Sequence, residues 1–122
     1  MMILIAGPYR GGTNDDPILI ANNLEKLEAM ALPLFNAGHI PIIGEWVALP
    51  LLKKAGSKKP GDEIYNSISY PVAARLLTKC DAVLRIEGAS NGADQDVKIA
   101  KELGLEIYYR LEDVPEVQLK IK

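Results

Sequence analysis

Two glycine-rich turns, and the acids that could lie beside them, hold the residues of this chain able to do chemistry. The first turn, GPYRGGTNDD, begins at Gly7 behind an apolar run and carries Pro8, Tyr9, Arg10, Gly11 and Gly12. Bare backbone amides and one guanidinium can converge there on an anion such as a phosphate. The spacing is neither that of a P-loop, which needs GK followed by Ser or Thr, nor that of a GxGxxG dinucleotide turn. A plainer reading stays open, in which the turn is a flexible connection and its arginine is solvated.

The second turn runs from Gly88 to Asp96 and contains Ser90, Asn91 and Gly92. Asp96 lies one helical step ahead of Ile99, Ala100 and Leu103, on the stripe that must face a sheet, so its carboxylate is aimed inward. Desolvation would raise its pKa, while the positive end of the helix and free amides would lower it. Such a group can serve as a nucleophile. It can also be an ordinary first-turn acid that complements the helix dipole. Glu45 and Trp46, read as the end of the second strand, would reach the same mouth and add a carboxylate and an aromatic surface for a base or sugar. Trp46 can equally be core. Glu87, ending the third strand, is a further acid of no greater specificity.

His39 has no Cys, His or acidic partner at ligand spacing, so no metal site is expected and the residue reads as structural. It would also lie at the edge of the sheet opposite the glycine turns, which disfavours a Ser-His-Asp triad. Lys53, Lys54, Lys58 and Lys59 read as a solvated loop, although in a closed state they could cover an anionic ligand.

The elements that must position these residues follow from patterning. MILIA, residues 2 to 6, is a continuous apolar run that reads as a strand buried on both faces. Asp16 and Pro17 supply an N-cap and a first-turn proline for a helix that continues through Ile20, Leu24, Leu27, Ala31 and Leu34 to Gly38, kinked or shortened at Pro33. HIPIIGEW is the second strand, ending near Gly44. Leu49 to Asp62, rich in Pro, Gly and Lys, reads as a mobile surface connection. Ile64 to Lys79 reads as helical with a break at Pro71, and AVLRIEG as the third strand. A helix capped at Ser90 runs to about Leu103 and ends at Gly104. EIYYRL then supplies a fourth strand and VQLKI a short fifth.

Strands alternating with helices imply right-handed crossovers and a covered parallel sheet. The expected fold is α/β, a flavodoxin-like (Rossmann-like) three-layer sandwich with four or five parallel strands in the order 2-1-3-4-5. In such sheets ligands bind beyond the carboxyl ends of the strands where the order reverses, which selects the two glycine turns. At 122 residues, 48% hydrophobic and 25% charged, the chain fits one globular domain spanning residues 1–122. Its formal charge of −2 gives no footprint for duplex nucleic acid. One cysteine, Cys80, allows no internal disulfide, and MMILIAGPYR has neither a basic n-region nor a long apolar segment, so a cytoplasmic location is expected. No apolar run approaches the roughly 20 residues needed to cross a bilayer, so no membrane partner is expected.

Four stretches, AGPYRGG, GEWVA, KCDAVLRIEG and SNGADQDVKIAKELG, carry a resemblance to the nucleoside 2-deoxyribosyltransferase superfamily. That superfamily includes the deoxynucleoside 5′-monophosphate N-glycosidases and small uncharacterised bacterial relatives. The likeness covers most of the chain, and its last motif is the most specific. It implies that Asp96 stands at the position of the family's nucleophile, a helix-borne glutamate, with Ser90 and Gly92 matching the residues before it. It also implies that the first turn holds a 5′-phosphate through Gly7, Tyr9, Arg10, Gly11 and Gly12, with Ser90 as a further donor. Pro8 stands where the monophosphate-specific members have serine.

The activity so implied is cleavage or transfer at the N-glycosidic bond of a nucleoside or nucleotide, by retention through a glycosyl-enzyme, with no cofactor. The partner implied is a small nucleoside or nucleotide, and the assembly a homo-oligomer, a dimer or larger. Two positions depart from the family. Aspartate at 96 is one methylene shorter than glutamate, and a displacement of about 1 Å can cost roughly a hundredfold in rate. The family's second acid, on the helix before the third strand, falls by spacing at Ala73, with Glu63 and Asn66 in the preceding turn as polar substitutes. A catalytically degenerate nucleotide- or phosphosugar-binding module is therefore the alternative. Flavin mononucleotide binding is disfavoured by a first turn without a hydroxyl-rich loop.

Overall fold

The computed structural model describes residues 1–117. Its centre is the first apolar run, β1 (Met2–Ala6), whose alternate side chains enter two different cores. Ile3 and Ile5 face one side, against Leu27 and Leu34, while Leu4 and Ala6 face the other, against Leu77, Ala93 and Ala100. A strand buried on both faces has no room for a polar residue, which is why the run is unbroken. β2 (Ile40–Ile43), β3 (Ala82–Arg85) and β4 (Glu106–Tyr108) pair in parallel in the order β2-β1-β3-β4. The fold is α/β with a four-stranded parallel sheet, consistent with the flavodoxin-like expectation. Of the fifth strand expected at VQLKI, only Val117 is among the described residues; its N–H donates to the Ala37 carbonyl at 2.7 Å.

Where the helices differ from expectation, packing has overridden local signals. The single helix expected from Pro17 to Gly38 is two, α1 (Pro17–Glu28) and α2 (Ala31–Asn36). Pro33 sits in the first turn of α2, where its missing N–H would have had no intrahelical acceptor, so it forces no kink. Glu45 and Trp46 belong not to the second strand but to the first turn of α3 (Gly44–Ala55). Half of the expected loop from Leu49 is therefore helix, and Pro50 lies inside it. Its cost is offset by Ala48 and Leu52, one turn apart, which pack against Val72 on α4 (Glu63–Leu77).

The remainder of that segment is folded as well, by Asp62, the N-cap of α4. Its carboxylate accepts from the Tyr65 amide at 2.7 Å, the Ser57 hydroxyl at 2.9 Å and the Lys58 amide at 2.8 Å. Those bonds, the Tyr65 and Lys58 amides foremost, pull its pKa down to about 2. Pro71 does not break α4, which runs on to a fully buried Leu77. The fourth strand is shorter than EIYYRL, because Leu111–Asp113 turn into a 3-10 helix. α5 (Asn91–Glu102) closes the second face. His39 is structural, as expected: it is buried, its Nδ1 accepts from the Met1 amine at 2.9 Å and its Nε2 donates to the Pro115 carbonyl at 2.6 Å.

Among the described residues no helix is long and apolar enough to cross a membrane, and no group of three or more His, Cys, Asp or Glu could hold a metal ion.

Candidate functional site

Parallel strands end together, and the turns beyond their carboxyl ends surround a cavity of about 450 Å³, within the range of small-molecule sites. Both turns are fixed by their neighbours. Asn23 on α1 donates to the carbonyls of Tyr9 at 2.9 Å and Gly11 at 3.3 Å, which holds the first turn from below. Arg85, at the end of β3, reaches the Gly88 carbonyl and the Asp94 carboxylate, each at 2.9 Å, and braces the second. The turns also interlock. A Cβ at Gly11 would fall 2.4 Å from the Ala89 carbonyl oxygen, and one at Gly88, whose φ is +116°, would fall 2.7 Å from the Pro8 ring. Only glycine permits either approach.

Of the residues singled out from sequence, Gly7, Tyr9, Arg10, Gly11 and Gly12 line the cavity from the first turn. Ser90, Asn91, Gly92 and Asp96 line it from α5 and its cap, and Glu45 from the start of α3. Two others do not join them. Pro8 packs on Gly88, behind the first turn. Trp46 points away, 40% exposed, with its indole N–H donating to Glu28 at 2.8 Å. The correction follows from the earlier end of the strand: in a helix residue 46 is turned by about 100° from residue 45, enough to carry its side chain away from the cavity. Glu87 and the lysine cluster also lie outside the cavity lining, as do Glu63 and Asn66, whereas Ala73 is part of it.

Asp96 is not the first-turn acid of α5. That place belongs to Asp94, which pairs with Arg85 at 2.9 Å. Asp96 sits two residues further, in the second turn, half-buried between buried Ala93 and Ala100. Burial pushes its pKa up to about 7, the nearby charge of Glu45 adds to this, and Arg85 opposes it. Glu45 is itself raised, chiefly by burial, despite a bond from its own backbone amide. The two carboxyls therefore form an interacting pair in one cavity. Tyr9 is raised by burial and by Glu45, and Tyr65 is pushed by burial up to about 12, so both phenols remain neutral donors at neutral pH.

No protein-family model, curated protein or solved structure matches the chain. What the site can do is therefore argued from its own groups: an inward carboxylate, a second carboxyl coupled to it, two phenols, and a turn of amides with a guanidinium.

Sequence reading missed Tyr65, Ser69 and Tyr70, which with Ala73 form the α4 side of the cavity. Their spacing of four, five and eight residues from Tyr65 is a helical stripe, and it was obscured by the break assigned at Pro71. It also missed Asp15. Arg10 donates to that residue through Nε at 2.9 Å and Nη2 at 3.1 Å. This pair lowers the Asp15 pKa and raises that of Arg10.

Proposed function

We propose that this chain cleaves the N-glycosidic bond of a nucleoside or its 5′-monophosphate, with Asp96 as the attacking carboxylate. One observation carries the reading: a half-buried Asp96 shares a ligand-sized cavity with the glycine turn of Arg10 and with a second carboxyl, Glu45. An ionised Asp96 attacks the anomeric carbon through an oxocarbenium-like state, and the base leaves with the electrons of the C–N bond. Glu45 gives that base its proton. Water then attacks the same carbon, its proton returning to Glu45, and Asp96 is released; a second base in place of water gives transfer. The burial that raises the pKa of Asp96 also leaves it poorly solvated and so more nucleophilic when ionised. A homo-oligomer in the cytoplasm belongs to the same proposal.

A second reading has one observation in its favour. Ala73 lines the cavity where an acid would stand in the family the sequence resembles, so the pocket can hold its ligand without turnover.

Incubation with the deoxynucleosides and their 5′-monophosphates, with free base followed by chromatography, separates the two. Release of base above the uncatalysed rate is the expected result. Saturable binding without release would favour the binding module, and neither binding nor release would overturn both.

A further inference from the structure

Resting on the proposed function, we infer that Asp15 sets which substrate class enters: its carboxylate occupies the Arg10 fork where a phosphate would dock, so the cavity takes the uncharged nucleoside and rejects the 5′-monophosphate. Arg10 is the only cation among the described residues lining the cavity, which also holds three carboxylates, Asp15, Glu45 and Asp96. Its Nε and Nη2 both donate to Asp15, at 2.9 and 3.1 Å. That two-point geometry is the one in which a guanidinium grips two phosphate oxygens, so the two anions compete for the same edge.

The guanidinium also has little room to turn elsewhere. Its Cζ lies 5.3 Å from the centre of the Tyr65 ring. A Cβ on Gly61 would fall 2.3 Å from Nη2 and 2.8 Å from Nη1, so the Gly61 backbone closes over it.

The turn is built to present this carboxylate. Asn14 and Asp15 adopt φ of +48° and +58°, left-handed values that side-chain-bearing residues rarely take. Buried Thr13 holds them there: its hydroxyl accepts from the Asp15 amide at 3.2 Å and donates to the Arg10 carbonyl. With Arg10 neutralised, a phosphate dianion would meet no free cation at the rim and two more carboxyls deeper in. Like charges brought together in this way oppose binding. A neutral sugar hydroxyl meets no such barrier and can donate to Asp15.

The test compares Asp15→Asn and Asp15→Gly with the wild-type chain by calorimetric titration with a deoxynucleoside and its 5′-monophosphate at low ionic strength. Both residues accept a left-handed backbone, so the turn is retained. The wild-type protein is expected to bind the monophosphate at least about tenfold more weakly than the nucleoside, and both variants to reduce that ratio by about tenfold or more. A wild-type preference for the monophosphate, a ratio unchanged in both variants, or binding of neither ligand would overturn the inference. Base release is scored separately. If base is released from neither substrate while the binding ratio behaves as expected, the proposed reaction fails and the role of Asp15 stands.

Discussion

Asp96→Asn is expected to abolish base release, by about a thousandfold or more, while making the protein more stable at pH 8. The loss of activity follows from removing the carboxylate proposed to attack the sugar. The gain in stability follows from the same burial. The carboxyl of Asp96 ionises at 3.8 in the unfolded chain and at about 7 in the folded one. Below 3.8 both states hold the proton and the residue contributes no difference. As pH rises toward 7 the unfolded state has already released its proton and the folded state has not, so stability falls through this window and is flat above it. Asparagine cannot ionise and loses nothing over the same range. A displacement of this size corresponds to about 4 kcal/mol, and because solvent still reaches the cavity mouth we expect about 2 kcal/mol. Thermal melts would show the variant ahead of wild type by about 8 °C at pH 8 and level with it at pH 4. An equal offset at both pH values would mean that the carboxylate is not desolvated as described.

Glu45→Gln is expected to cut kcat by a hundredfold to ten-thousandfold, the usual worth of a positioned proton donor, and to change the shape of the pH profile. Asp96 must be ionised and Glu45 protonated for attack and departure to coincide, so the pair works with one proton between them. The wild-type rate therefore traces a bell. Its acid limb is the loss of the attacking charge, and its alkaline limb the loss of the shared proton. Glutamine cannot give up a proton to the leaving base, so the alkaline limb disappears in the variant. The acid limb, the ionisation of Asp96 itself, remains. A variant with the wild-type bell and a rate within twofold would remove Glu45 from the reaction.

The parts of the molecule legible in sequence are those where burial dictates residue type over a continuous stretch. MILIA and AVLR can only be central strands, and the alternation of strand and helix leaves few ways to connect them. The stripe of Asp96, Ile99 and Ala100 points its acid inward, although Leu103, read as part of it, is exposed at the C-cap of α5. α3 was not legible, because Pro50 and the lysines that follow look like a connection until α4 is present to receive Ala48 and Leu52. Reading the second strand on to Trp46, three residues beyond its end at Ile43, was enough to misplace that side chain. The Arg10 and Asp15 pair lies beyond pattern altogether, since it depends on two left-handed residues in a turn that has no periodicity.

The most direct test of Asp96 as nucleophile is mass spectrometry of protein reacted with a 2′-fluorinated deoxynucleoside. Fluorine at that carbon destabilises the oxocarbenium-like state and slows release of the glycosyl-enzyme, so the intermediate accumulates. The predicted result is a mass increase equal to the sugar on the peptide that contains Asp96, absent from Asp96→Asn. Base release with no adduct, or with the sugar on the peptide that contains Glu45, would contradict it.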